Sequence, residues 1–89
     1  MFDETTVQQV WNKGAIALEH DPNNVRKDIF GNLMVRTLYG SLSAYGWEID
    51  HITAKANGGS DSLFNLQPLH WKANRSKSDR PIGLAGMFR

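Results

Sequence analysis

Residues 47–79 read WEIDHITAKANGGSDSLFNLQPLHWKANRSKSD, and this stretch decides the fold. Trp47 to Ile52 alternates apolar and polar side chains, as a half-buried strand does. Asn57-Gly58-Gly59-Ser60 breaks any regular element, so Thr53 to Ser62 is expected to be a long loop. Asn65 to Leu69 is short and extended, and Pro68 keeps it from being a central strand paired on both sides. His70 to about Ser78 reads as a short helix that Asp79-Arg80-Pro81 stops. The order is strand, long loop, strand, helix.

Working outward, Thr5 to Lys13 is expected to be helical. Thr5 and Gln8 have the form of a capping box, and Val7, Val10 and Trp11 fall on one face. Gly14 is placed to end that helix in a left-handed conformation. Asp21-Pro22-Asn23-Asn24 is a turn cluster. Asp28 to Arg36 reads as a hairpin in which Gly31-Asn32 is a two-residue turn between Ile29-Phe30 and Leu33-Met34-Val35. Tyr39-Gly40 and Tyr45-Gly46 are further breakers, and Ile82 to Arg89 is expected to pack loosely on the body. The predicted class is α+β, a small single domain. It comprises an N-terminal helix and turn over residues 1–25, a ββα core over 26–80 and a tail over 81–89.

The chain has 89 residues, enough for one domain with a thin core. It has no Cys, so neither disulfides nor a cysteine zinc cluster can brace it. Any metal must be held by Asp, Glu, Asn, His or carbonyl oxygen. No apolar run is long enough to span a membrane. The opening MFDETTVQQ lacks the basic and apolar regions of a secretory signal, so the expected location is the cytoplasm. Net charge is +1, but it is unevenly spread: residues 1–50 carry four basic and seven acidic side chains, residues 51–89 six and two. A basic C-terminal half suits a polyanion, although a solvated helix face has the same composition.

Residues 47–79 also hold the parts that phosphodiester hydrolysis needs: a base for water, a cation for the phosphate and the leaving oxygen, and groups to position them. His51 is the candidate base, because a free imidazole titrates near about 6.5 and is mostly neutral at cellular pH. Asp50 is the candidate metal carboxylate, and Asn74 offers a neutral amide oxygen from the helix. One carboxylate and one amide leave most of a coordination sphere to water and phosphate, as Mg²⁺ prefers. Strict strand alternation would send Asp50 and His51 to opposite faces, so both serve one site only if the strand ends or twists there.

These residues resemble the HNH nuclease signature, the ββα-metal motif. Asp50-His51 ends a strand, Gly58-Gly59 lies in the loop, Asn65-Leu66 opens a second strand, and Asn74 and Lys77 lie on the helix. Asn65 falls fourteen residues after His51 and Asn74 nine after Asn65, the spacing also found in the HNH domain of RNA-guided CRISPR nucleases. Arg26-Lys27-Asp28 and Tyr45 to His51 are similar to small stand-alone bacterial or phage HNH proteins. The resemblance covers roughly residues 26–80.

The resemblance implies a metal-dependent endonuclease in which His51 activates water and Asp50 and Asn74 hold Mg²⁺ or Mn²⁺. Asn65 would pin the loop backbone and so orient His51. DNA is the expected substrate, with RNA as the alternative, and an inhibitor or immunity protein is a natural partner if the chain is a toxin. Many family members carry two cysteine pairs that bind a structural zinc. Here His70 and Ala73 stand at one pair and Phe30 at part of the other, so no structural zinc is expected. Stability would then come from Trp11, Phe30, Trp47, Leu66, Leu69 and Trp71. Asn74 in place of His at the last motif position suits a hard ion better than zinc.

His70, four residues before Asn74, has two readings: a metal ligand, as in colicin-type nucleases, or a packed, hydrogen-bonded histidine. Lys72, Arg75 and Lys77 either contact the nucleic-acid backbone or are solvated charges. The rival to the nuclease is a catalytically silent nucleic-acid- or protein-binding module on the same scaffold.

Overall fold

The computed structural model describes residues 2–77, so the expected tail and the last residue of the predicted helix lie outside the described residues. The elements run α1 (Glu4–Trp11), β1 (Ala15–Ile16), β2 (Val25–Lys27), β3 (Leu33–Val35), β4 (Trp47–His51), β5 (Leu66–His70) and α2 (Trp71–Lys77), with short 3-10 turns at Arg36–Leu38, Lys55–Asn57 and Leu63–Asn65. This is the expected α+β class with a ββα core. No helix among the described residues is long and apolar enough to cross a membrane.

Helix α1 starts earlier than the Thr5 capping box implied. Asp3 is the N-cap, its carboxylate accepting from the Thr6 amide at 2.8 Å. An Asp cap also places negative charge at the helix's positive end. Gln8 turns outward instead, donating to Asn12 and accepting from Arg36. The helix ends at Asn12 in the right-handed region, and Gly14 does not have a positive φ, which corrects its expected role.

The upstream hairpin is real, but its strands differ from the expected ones. β2 and β3 pair antiparallel with Arg26 opposite Met34, and β1 extends the sheet with Ile16 opposite Arg26. The connection is residues 28–32 rather than Gly31-Asn32 alone, because the Asp28 carboxylate gathers it: it accepts from the amides of Phe30 and Asn32 and from the Asn32 side chain. The remaining lone pairs of Asp28 take the His70 amide at 3.0 Å, tying this hairpin to β5. Phe30 is 37% exposed in the turn and is not a core residue.

β4 and β5 form a separate antiparallel pair, with Trp47 opposite His70 and Asp50 opposite Gln67. Every residue of β5 is buried, since α1 covers one face and the hairpin and α2 cover the rest. The core joins Val7, Val10 and Trp11 of α1 to Met34, Trp47 and Leu66. The Trp11 and Trp47 rings tilt against each other at 5.1 Å, within the range of favourable aromatic pairs. Trp71 lies at the margin, its indole donating to the Ser43 carbonyl. The expected packing thus holds for Trp11, Trp47, Leu66 and Leu69 and fails for Phe30 and Trp71.

Candidate active site

β4 carries Asp50 and His51 to the mouth of the long loop, and α2 brings Asn74 and Lys77 to the same place. All four line one open cavity of about 250 Å³ together with Ile49 and Lys55. The conflict between strand alternation and a shared site is resolved because β4 ends at His51: Asp50 turns into the protein and His51 to its rim, and both still border the cavity.

Asp50 is buried. Its Oδ2 accepts from Gln67 Nε2 at 2.8 Å across the strand pair, and its Oδ1 accepts from Lys77 Nζ at 2.9 Å. Lys77 also donates to the carbonyls of His51 and Ile52. Its ammonium therefore closes the end of β4 from below. Lys77 is therefore neither of the two things expected of it, a nucleic-acid contact or a solvated charge, because a side chain this enclosed cannot reach a phosphate backbone.

Asn74 donates from Nδ2 to Glu48 Oε1 at 2.9 Å, and Arg75 donates to both oxygens of the same carboxylate. The Arg75 hydrogen bond holds Glu48 below the usual carboxylate range, against a smaller opposing effect of burial, with Asn74 adding to the lowering. Since Glu48 takes the amide's NH₂ group, the Asn74 oxygen is the end left for another partner. Arg75 is thus engaged with an acidic side chain and not held free for phosphate. Lys72 is exposed and lies over the Trp71 ring at 5.6 Å. Lys55 pairs with Asp61 at 3.4 Å. The basic character of residues 51–89 is therefore spent largely on internal acidic partners among the described residues.

Asn65 is buried and sits at the foot of β5. Its Oδ1 accepts from Thr53 N at 2.8 Å, and its Nδ2 donates to Thr53 O at 3.1 Å and Ser60 O at 2.7 Å. These three bonds clamp the two ends of the loop together. The two glycines make the clamp possible: Gly58 has φ +90, and a Cβ on Gly59 would stand 1.7 Å from the Thr53 carbonyl oxygen. Gly58-Gly59 is thus a close-packed turn.

His70 is the last residue of β5 rather than the first of the helix. Its Nε2 meets the Ala44 carbonyl at 2.7 Å and its Nδ1 accepts from the Lys72 amide at 3.1 Å. With both ring nitrogens committed and the ring absent from the cavity lining, the packed reading holds and the metal-ligand reading is corrected.

Two residues of the site lay outside the sequence reading. Asp61 Oδ1 stands 2.7 Å from His51 Nε2, and Glu48 orients Asn74. The His51 hydrogen bond is the main reason the Asp61 carboxyl lies below its ordinary range. Glu48 had a legible clue, as a polar strand residue two before Asp50 and so on the same face. Asp61 had none, since its position depends on how the loop folds.

The donor set at the cavity fits a divalent ion of the hard kind. Among the described residues, Asp50 uses one lone pair on each oxygen, for Gln67 and Lys77, and nothing donates to the Asn74 carbonyl oxygen. No group of three or more His, Cys, Asp or Glu side chains is arranged around a metal position among the described residues, so a fully protein-enclosed site is not the design.

The family model for HNH endonuclease matches residues 37–80, the span that holds Asp50, His51, Asn65 and Asn74. On this segment the chain belongs to the HNH endonuclease family, in a form without zinc cysteines. No curated protein and no solved structure matches the chain.

Proposed function

We propose that this protein is a divalent-metal-dependent endonuclease that hydrolyses DNA phosphodiester bonds. One observation carries the reading: a candidate base, a carboxylate and an amide oxygen, drawn from a strand and a helix, border a single solvent-open cavity. His51 accepts the proton of the attacking water. Asp50 and Asn74 are the residues that would hold Mg²⁺ or Mn²⁺, which would supply charge neutralisation for the phosphate and the leaving group. Asn65 keeps the loop folded so that His51 stays at the cavity rim. Attack in line with the 3′ oxygen leaves 5′-phosphate and 3′-hydroxyl ends.

The engagement of Lys55, Arg75 and Lys77 with carboxylates supports weak binding of the nucleic acid. The rival reading is a catalytically silent binding module. It draws on the hydrogen bonds that both Asp50 oxygens already make.

Incubation of supercoiled plasmid with Mg²⁺ or Mn²⁺ separates the two. The nuclease gives metal-dependent nicking that EDTA stops and that His51→Ala reduces by about 10²–10⁴-fold, the usual contribution of a positioned base. Folded protein that cuts with neither ion would make the silent module the correct reading.

A further inference from the structure

His51 is held by more than its place at the end of a strand. Its ring tilts against Phe2 at a centroid distance of 5.9 Å, and its Nε2 meets the Asp61 carboxylate at 2.7 Å. Among the described residues nothing donates to or accepts from Nδ1. A carboxylate can only accept, and a neutral imidazole has one N–H and one bare nitrogen. The contact with Asp61 therefore requires the neutral ring to carry its proton on Nε2.

Asp61 reaches His51 because of the loop clamp. The Ser60 carbonyl, one residue upstream, is bonded by Asn65 Nδ2, and the other Asp61 oxygen is met by Lys55 at 3.4 Å. Asn65 itself makes no bond to the His51 side chain; its amide is used up on the loop backbone.

We propose that Asp61 is the positioning residue for His51: it holds the ring in the Nε2–H tautomer, so that Nδ1 is the nitrogen that receives the proton from water, and Asn65 acts by presenting Asp61. This rests on the nuclease reading only where it concerns the rate. The Asp61 side chain is 57% exposed, and an exposed ion pair adds little to stability, so removing it leaves a folded domain in which orientation alone is lost.

The test is a long-range ¹H–¹⁵N spectrum of ¹⁵N-labelled protein at about pH 8.5, where free imidazole is neutral. The three histidines are told apart by the resonances missing from His51→Ala. In the wild type, His51 is expected to show a protonated Nε2 and a bare Nδ1. Asp61→Ala should shift the ring toward a mixture of tautomers and lower kcat by about 10–100-fold, as loss of an orienting partner does, with KM little changed. Asp61→Asn still offers an oxygen to Nε2–H, so it should keep the tautomer and recover part of the rate; it also serves if the alanine variant folds poorly. A wild-type ring protonated on Nδ1, or an Asp61→Ala protein with an unaltered tautomer, would overturn the proposal. A wild-type ring protonated on Nε2 that shifts in Asp61→Ala, in a protein that cuts no DNA, would sink the nuclease reading and leave Asp61 as the group that sets the ring.

Discussion

Lys77 Nζ lies 2.9 Å from Asp50 Oδ1, with the two side chains only 1% and 5% exposed. A lysine near the end of the last described helix and an aspartate in the middle of the domain thus form a buried ion pair. Taking both charges out of water is costly, and the cost is offset because each has further hydrogen-bond partners: Gln67 for Asp50, two backbone carbonyls for Lys77. The pair locks α2 to the end of β4, and with it the relative position of Asn74 and His51.

Breaking that pair from one side should be severe. Lys77→Met leaves Asp50 buried and uncompensated and is expected to cost about 3–5 kcal/mol, a large share of the stability of a domain this small. Asp50→Asn keeps an acceptor for Gln67, so the double variant Asp50→Asn with Lys77→Met should be more stable than Lys77→Met alone. Urea unfolding of the full cycle measures the coupling; additive effects would mean the two groups do not act as a pair.

Asn65→Ala removes three hydrogen bonds from one buried amide. At about 1 kcal/mol each, the expected loss is about 2–3 kcal/mol. Hydrogen exchange should speed up at Thr53, whose amide Asn65 holds directly, while α1 is protected as before. Asn65→Asp should not rescue the loop, because a carboxylate cannot donate to the Thr53 and Ser60 carbonyls. Unchanged exchange at Thr53 in the alanine variant would refute the clamp.

Glu48 sets a pH dependence. Its carboxyl is held below the ordinary 4.5, chiefly by the Arg75 hydrogen bond. A carboxyl lowered on folding stabilises the protein above its unfolded value, and the benefit fades as pH falls through the folded value. Thermal midpoints should therefore drop as pH falls below the ordinary 4.5 and through the lowered folded value, and Glu48→Gln should show a shallower drop. An identical slope in the variant would exclude this contact as a source. Asp61 and Asp3 are lowered as well, so part of the acid sensitivity should persist.

Metal should matter to activity and not to folding. The core is assembled from tryptophan and aliphatic side chains, and no enclosed ligand cluster braces the described residues. EDTA is expected to leave the thermal midpoint within about 2 °C, well below the shift that 1 kcal/mol produces in a domain of this size. A fall of about 10 °C or more would reveal a structural metal.

The core elements were legible because their signals are local. Alternation in Trp47–Ile52, the Gly58-Gly59 break and Pro68 each constrain the backbone within a few residues, and the structure keeps β4, the loop and β5 where these signals put them. Boundaries were less legible. Asp3 and Thr5 are both good helix caps, and only the packing of Val7, Val10 and Trp11 on the sheet chooses between them. Asp28 moved the hairpin because its carboxylate gathers three local donors and, across 42 residues, the His70 amide.

Charge placement was the least legible. In the sequence Arg75 and Lys77 look alike, two cations near the end of a polar helix. Tertiary structure separates them: one side of the helix faces Glu48 at the surface, the other faces Asp50 in the interior. Asp61 likewise becomes a partner of His51 only because Asn65 folds the intervening loop back on itself. Backbone preferences act over one or two turns of chain and can be read residue by residue. Which charge meets which depends on contacts between segments ten to fifty residues apart, and those exist only once the core has brought the segments together.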